Sequence, residues 1–354
     1  MDWRPALTAC LATLFGIGGA LYAAILIVDP YDTVWFSPPL ERVPISTNQR
    51  FSFPPLARKA RFDSAIVGTS TTRLLEPARL NPLFDARFVN LSMNSGTAYE
   101  QMRLFDVFVR HHPAARTVIF GIDATFCQVG GVAEKFTPRP FPAWMYDEDR
   151  WNDLIHLFNF PAVEETGKAV ATLLGWRDVK YGADGYTNFL PPRSAYDLAK
   201  ARRNIYGDET PRRHAPISPP VAPSAAERSA WTFPALPYLA RMLDRAPAGA
   251  TKVLLFVPYH VHRQPVPGSL AAAQGAECKA RVTAMAGRAA GETHVLDFMI
   301  DSRITRNDSN YWDPLHYSTE VAARLADLIA QGVRGRRGAA DLFAYLGPTG
   351  AARD

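Results

Sequence analysis

Cysteine is scarce in this chain: three in 354 residues, Cys10, Cys127 and Cys278. So few exclude a small scaffold stapled by several disulfides, and no cysteine stands at the spacing of a structural zinc site. A strong excess of one charge is also lacking. Lys and Arg number 39 against 34 Asp and Glu, a net +5 that is mild at this length. No basic helix interleaved with aromatics accompanies it, so no nucleic-acid partner is expected. The densest basic run, Arg334, Arg336 and Arg337, reads as a solvated tail. Internal repeats are missing as well. With 47% hydrophobic and 11% aromatic residues, 23 Gly and 29 Pro, the chain is neither disordered nor collagen-like. At roughly 100–200 residues per domain, its length suits one large domain or two small ones.

What the sequence does have is one long apolar run. From Ala6 to Val28, 23 residues carry no charge. At about 1.5 Å rise per residue, a helix of that length crosses a hydrocarbon core of about 30 Å. It lacks the polar stripe of a helix lying on a soluble core. A cleavable signal peptide has a shorter apolar region, about 7–15 residues, followed by small residues. Here Leu21 and Tyr22 interrupt that pattern ahead of Ala23 and Ala24. Residues 1–28 are therefore expected to form an uncleaved signal anchor. Arg4 precedes the run, and Asp29, Asp32 and Glu41 follow it, so the positive-inside tendency exports everything after residue 28. The expected location is the cytoplasmic (inner) membrane, single-pass, with the C-terminal domain in the periplasm or extracellular space. Cys10 falls in the span, leaving Cys127 and Cys278 as the one candidate pair; sequence does not say whether they meet.

Beyond a stem over residues 29–60, short apolar runs alternate with helical stretches. Strands are expected at Ser64–Val67, Arg87–Leu91, Thr117–Ile122, Lys252–Val257 and Thr293–Phe298. All are rich in Val, Ile, Leu and Phe without clean alternation, as in a sheet covered on both faces. Thr97 and Glu100 form a capping box that opens a helix to about Arg110, closed by His111, His112 and Pro113. Ala271–Ala290 and Thr319–Gln331 read as two more helices. The fold class is α/β, with a doubly wound, mostly parallel sheet over residues 61–332. An irregular insertion at about 128–249 carries Trp144, Trp151, Trp176, Trp231, one helix near Val163–Leu174 and a proline-rich run. It is expected to drape over the sheet. Residues 333–354 read as a tail.

In open α/β sheets, ligands gather outside the carboxyl ends of the strands. Gly68-Thr69-Ser70 follows the first strand, Asn94-Ser95-Gly96 the second and Asp123 the third. Asp313-Pro314-Leu315-His316 precedes the last helix. Together they suit nucleophilic catalysis: Ser70 as nucleophile, His316 as its base, Asp313 fixing the imidazole tautomer. The backbone N–H of Ser70 and of Gly96, with the Asn94 amide, are candidate oxyanion donors. Arg73, about one helical turn from Ser70, is a candidate for holding an anionic substrate group, and Trp312 for stacking on a sugar ring. Taken singly, Ser70 is more often a helix N-cap or turn residue, Asp313 a turn residue before Pro314, His316 a surface histidine, Asn94 and Gly96 a tight turn, Arg73 a surface or ion-paired arginine and Trp312 a core residue. His260 and His262 have metal-ligand spacing but no third partner, and read as a loop. No metal site and no cofactor are expected.

At these residues the chain resembles the SGNH/GDSL hydrolase superfamily. Gly68-Thr69-Ser70 matches its Gly-Asp-Ser block, Asp313–His316 its Asp-x-x-His block, and Gly96 its second-block glycine. The likeness spans roughly Arg61 to Gly332 apart from the insertion. It implies a flavodoxin-like three-layer domain with a serine esterase or O-acyltransferase activity. A single span ahead of such a domain is similar to exported proteins that handle acyl groups on bacterial envelope polymers, such as alginate O-acetylation proteins and the lipoteichoic-acid D-alanylation protein. The partners this implies are a polysaccharide or small acyl ester as substrate and a membrane protein as acyl donor. There are two departures: Thr69 replaces the block's Asp, and Asp123 stands where the third block offers an oxyanion-binding Asn. An ionised carboxylate there repels a developing oxyanion, so Asp123 is expected to be protonated, turned away, or a mark of a catalytically weak, glycan-binding or scaffolding relative.

Overall fold

The structure, a computed structural model, describes residues 3–40, 42–207, 215–335 and 341–347. In chain order the helices are α1 (Arg4–Val28), α2 (Gln49–Ala57), α3 (Pro77–Phe84), α4 (Ala98–His111), α5 (Arg150–His156), α6 (Phe160–Leu173), α7 (Leu198–Tyr206), α8 (Ala225–Ala230), α9 (Leu236–Arg245), α10 (Leu270–Arg288) and α11 (Thr319–Val333). The strands are β1 (Ser64–Val67), β2 (Phe88–Asn90), β3 (Thr117–Ile122), β4 (Thr251–Phe256), β5 (Thr293–Asp297) and β6 (Ala344–Tyr345). They divide between two units, Met1–Leu56 with Pro140–Gly185, and Ala57–Arg139 with Tyr186–Asp354.

In the first unit, α1 is the one helix among the described residues long and apolar enough to cross a membrane, with a mean hydropathy of 2.2. It stops at Asp29, whose left-handed backbone (φ 49°) turns the chain while its N–H still donates to Ile25 O. The Asp29 carboxylate then accepts the N–H groups of Thr33 and Val34. Arg42 donates to Val28 O at 3.0 Å, placing a cation on the carbonyl end of the helix. The expected stem is therefore a folded segment: Tyr31, Val34, Ile45 and Phe53 are buried. It shares its unit with residues 140–185 of the expected insertion. Tyr146 and Tyr181 there donate hydroxyl hydrogen bonds to Arg50 O and Thr47 O. Helix α6 packs on α1. Its buried residues Ala162, Thr166 and Ala169 recur at helical spacing on one face, as close packing of two helices requires.

The second unit is an α/β sheet in the order β2-β1-β3-β4-β5-β6. β1 to β5 run parallel, with Ile66 opposite both Asn90 and Ile119. β6 pairs antiparallel with β5 through Leu296↔Tyr345 and Asp297↔Ala344. The expected tail thus supplies an edge strand, too short to show periodicity; Arg336 and Arg337 lie outside the described residues. Side chains alternate between the two faces of each strand. Ile66, Phe88, Ile119, Val253, Leu255 and Leu296 share one core with Leu80 of α3 and Leu325 and Ile329 of α11. Phe120 points the other way, edge-on to Phe105 of α4 at 5.0 Å, where α9 also packs. With both faces covered, polar alternation has no place in these strands, which explains their continuous apolar runs. The Thr97–Glu100 capping box forms and opens α4. The strand order reverses between β1 and β3, which leaves a crevice at their carboxyl ends.

Candidate active site

That crevice is built first by two glycines. A Cβ on Gly68 would stand 2.3 Å from Thr72 Oγ1, and one on Gly121 2.3 Å from Thr72 Cγ2. Thr72 therefore fills the space both leave, and lets the turn after β1 close down on β3. Its hydroxyl sits 2.8 Å from Ser92 Oγ, tying in the segment after β2. This packing fixes the backbone that carries Ser70.

The Asp313–His316 loop comes from 246 positions further along. A bridge between Tyr311 and Tyr317 pinches its base, and Trp312 N–H donates to His316 O at 2.9 Å. Buried hydroxyls hold it from both sides: Tyr317 donates to Thr71 O at 2.6 Å and Tyr311 to Pro258 O at 2.8 Å. His260 N–H, after β4, donates to Pro314 O at 2.9 Å. Thus fixed, His316 Nε2 lies 2.8 Å from Ser70 Oγ, and His316 Nδ1 lies 2.7 Å from Asp313 Oδ2. The other Asp313 oxygen accepts the N–H groups of Leu315 and His316 at 2.8 and 2.9 Å. Burial works to raise the Asp313 carboxyl, but the His316 hydrogen bond and charge and the two amides outweigh it and hold it below its ordinary value. An ionised Asp313 favours the tautomer with its proton on Nδ1, leaving Nε2 to accept from Ser70.

Beside Ser70 lies a cleft of about 460 Å³, lined by Thr69, Ser95, Gly96, Asp123, Tyr259 and part of residues 128–137. Asp123 is buried at its floor. Its carboxylate caps the short turn that follows β3, accepting Thr125 N–H at 3.0 Å and the Thr125 hydroxyl. Thr69 lines the same cleft, its hydroxyl 3.2 Å from that of Thr71. Burial pushes the Asp123 carboxyl above its ordinary value, against the pull of the Thr125 hydrogen bonds and of the Thr69 side chain. The same turn ends at Cys127, which is disulfide-bonded to Cys278 of α10, Cα atoms 5.4 Å apart. One wall of the cleft is thereby anchored covalently to the helix layer.

Several expected site residues stand elsewhere. Gly96 lines the cleft, but its N–H donates to Met93 O at 3.1 Å, closing a turn in which Ser95 takes a left-handed φ of 52°. That N–H is committed to the turn, not free for an oxyanion. Asn94 does not line the cleft. The Ser70 N–H has no backbone acceptor among the described residues. Arg73 is buried in the turn Thr72–Leu74, its guanidinium 4.7 Å over the Phe189 ring, and does not line the cleft either. Phe189 in turn meets the His316 ring edge-on at 5.2 Å. Arg73 therefore backs the aromatic that flanks the imidazole. Trp312 lines a separate shallow depression with Tyr196, Arg193 and Leu190. His260 Nε2 lies 3.2 Å from Asp308 Oδ1, and its Nδ1 accepts the His262 N–H, so that pair buttresses the loop. Phe189 and Tyr317 act on His316 and its loop, yet no sequence spacing marks them. Only the adjacency of Tyr317 to His316 offered a signal.

Compared with known proteins, the chain matches no protein-family model, no curated protein and no solved structure at a significant level.

Proposed function

We propose that this chain is an exported, membrane-anchored, SGNH-like serine esterase or O-acyltransferase, acting on acyl groups, acetyl foremost, of a cell-envelope or extracellular polysaccharide. The observation that carries the reading is the unbroken chain from Ser70 Oγ to His316 Nε2 at 2.8 Å and from His316 Nδ1 to Asp313 Oδ2 at 2.7 Å, beside a cleft at the carboxyl edge of the sheet. In this reading Ser70 Oγ attacks the acyl carbonyl as His316 takes its proton, and Asp313 stabilises the imidazolium. Collapse of the tetrahedral intermediate expels the donor alcohol, which receives that proton, and leaves an ester on Ser70. An acceptor hydroxyl, of water or of a sugar, gives its proton to His316 and takes the acyl group, and His316 passes that proton to the departing Ser70 Oγ. The Ser70 N–H and a protonated Asp123 are the donors assigned to the oxyanion. Export accords with the Cys127–Cys278 disulfide, since such bonds persist in oxidising compartments.

A second reading has an observation of its own. With a carboxyl group on the cleft floor and the Gly96 N–H committed, the domain also suits a catalytically weak glycan-binding or scaffold protein. One experiment separates them. Full-length protein in detergent is expected to hydrolyse p-nitrophenyl acetate and to gain one fluorophosphonate adduct on Ser70 by intact mass. Ser70→Ala and His316→Ala are expected to fall to background, and Asp313→Asn by about 10⁴-fold in kcat. Activity surviving in Ser70→Ala would rule out Ser70 as the nucleophile, and an inert but glycan-retaining wild type would favour the second.

A further inference from the structure

We infer that the hairpin formed by α5 and α6 dips its tip into the same lipid leaflet that α1 enters, so that the first unit holds the membrane by two elements. The inference rests on α1 being a membrane span. Over Leu154–Val163 the sequence LIHLFNFPAV contains no Asp, Glu, Lys or Arg. At its tip, Ile155, Phe158 and Phe160 are 78%, 70% and 78% exposed, a cluster that water alone does not explain.

The position of this tip along α1 is fixed by contacts within the unit. Tyr22 OH donates to Leu154 O at 2.7 Å, and the Tyr22 ring meets Phe158 edge-on at 5.4 Å. Tyr22 lies seven residues before Asp29, which at 1.5 Å per residue is roughly 10 Å below the end of the apolar helix. At the other end of α5, Trp151 packs against Trp35 at 4.4 Å, and Trp35 against Phe36 at 5.1 Å. Those rings stand just past Asp29, where the chain becomes polar. Apolar side chains deep and tryptophans at the boundary is the layering of a segment buried about 5–10 Å in an interface. The charges of α6 lie off the tip: Lys168 pairs with Glu164 at 2.6 Å and Glu165 at 2.9 Å. The Asn159 side chain at the turn is satisfied internally, which lowers its cost in lipid. Asn159 caps α6 by accepting Ala162 N–H at 2.8 Å and donates to His156 O. The occupant is therefore the acyl-chain and headgroup boundary of the bilayer.

The test uses full-length protein in phosphatidylcholine–phosphatidylglycerol vesicles, with Cys10→Ser as background and an environment-sensitive NBD label on one introduced cysteine. Ile155→Cys and Phe158→Cys report the tip, Leu14→Cys the span, and Ala226→Cys, on exposed α8, the aqueous reference. Labels at 155 and 158 are expected to emit to the blue of the reference, to lose iodide quenching several-fold, and to be quenched by nitroxide-bearing lipids. Iodide quenching at 155 and 158 equal to the reference, with Leu14→Cys shielded, would overturn the inference and leave the span intact. Shielding without nitroxide quenching would mean that protein covers the tip, and would overturn it too. An iodide-accessible Leu14→Cys would refute the span, and this inference with it.

Discussion

Thr69 and Asp123 decide how the cleft beside Ser70 behaves. Both line the cleft, Asp123 as a buried carboxyl that caps the turn after β3 and Thr69 as the hydroxyl beside Ser70. A buried carboxyl group costs little while protonated and much when ionised. Protonated, Asp123 can donate to a developing oxyanion; ionised, it opposes one. Burial raises its pKa, so the protonated form persists above the ordinary carboxylate range and is lost as pH rises through the raised value. Stability follows the same sign, since the folded state holds a proton that the unfolded state releases at lower pH. Under the esterase reading, kcat/KM of the wild type is therefore expected to fall on the alkaline side. Asp123→Asn is expected to remove that limb and leave a flatter profile, measured on p-nitrophenyl acetate across pH. A variant that retains the alkaline limb would take Asp123 out of the reaction.

At the scale of elements, the site depends on how closely β1, β3 and the turn between Gly68 and Thr72 approach. Thr72 occupies the space that a Cβ on either glycine would need, so a methyl group on either has nowhere to go. Gly121→Ala is expected to lower stability by about 1–3 kcal/mol through overpacking. Adding Thr72→Ala removes the obstructing methyl and hydroxyl and is expected to recover part of that loss, read as the urea midpoint of the single and double variants. Additive losses would mean that the glycines serve some need other than room for Thr72. The Asp313–His316 loop has a different support. Two buried tyrosine hydroxyls clamp it, and Phe189, backed by Arg73, flanks the imidazole ring. Together these hold His316 within hydrogen-bond reach of Ser70, which is the condition for general-base chemistry.

For the whole molecule, the Cys127–Cys278 disulfide is the one covalent tie beyond the backbone among the described residues, and it closes a loop of 151 positions. A cross-link over so long a loop restricts the unfolded chain strongly. Cys127→Ser is expected to cost about 2–4 kcal/mol in urea unfolding, with the reductant-treated wild type matching the variant. Because Cys127 ends the turn capped by Asp123, the same variant is expected to loosen the cleft wall and weaken fluorophosphonate labelling more than global stability alone implies. The first unit is set apart by one helix. After Arg4 its α1 carries no charge, is exposed nearly everywhere, and is long and apolar enough to cross a membrane.

Some of this was written locally in the chain. Residues Ser64–Val67 and Thr117–Ile122 declared themselves as strands, Thr97 and Glu100 as a helix start, and Ala6–Val28 as an apolar helix, because periodicity, capping and hydropathy act over a few residues. The motif blocks also directed attention to Ser70, Asp313 and His316. Only the folded chain decided that Ser70 and His316 lie 2.8 Å apart, that Cys127 meets Cys278, and that residues 140–185 share a unit with residues 1–56. It also decided that Gly96 spends its N–H on a turn and that Arg73 faces Phe189 and not the cleft. Each of those outcomes depends on hydrogen bonds or packing whose partners are set by the three-dimensional path of the backbone. Local sequence pattern carries no information about which of the chemically equivalent partners that path will bring within reach.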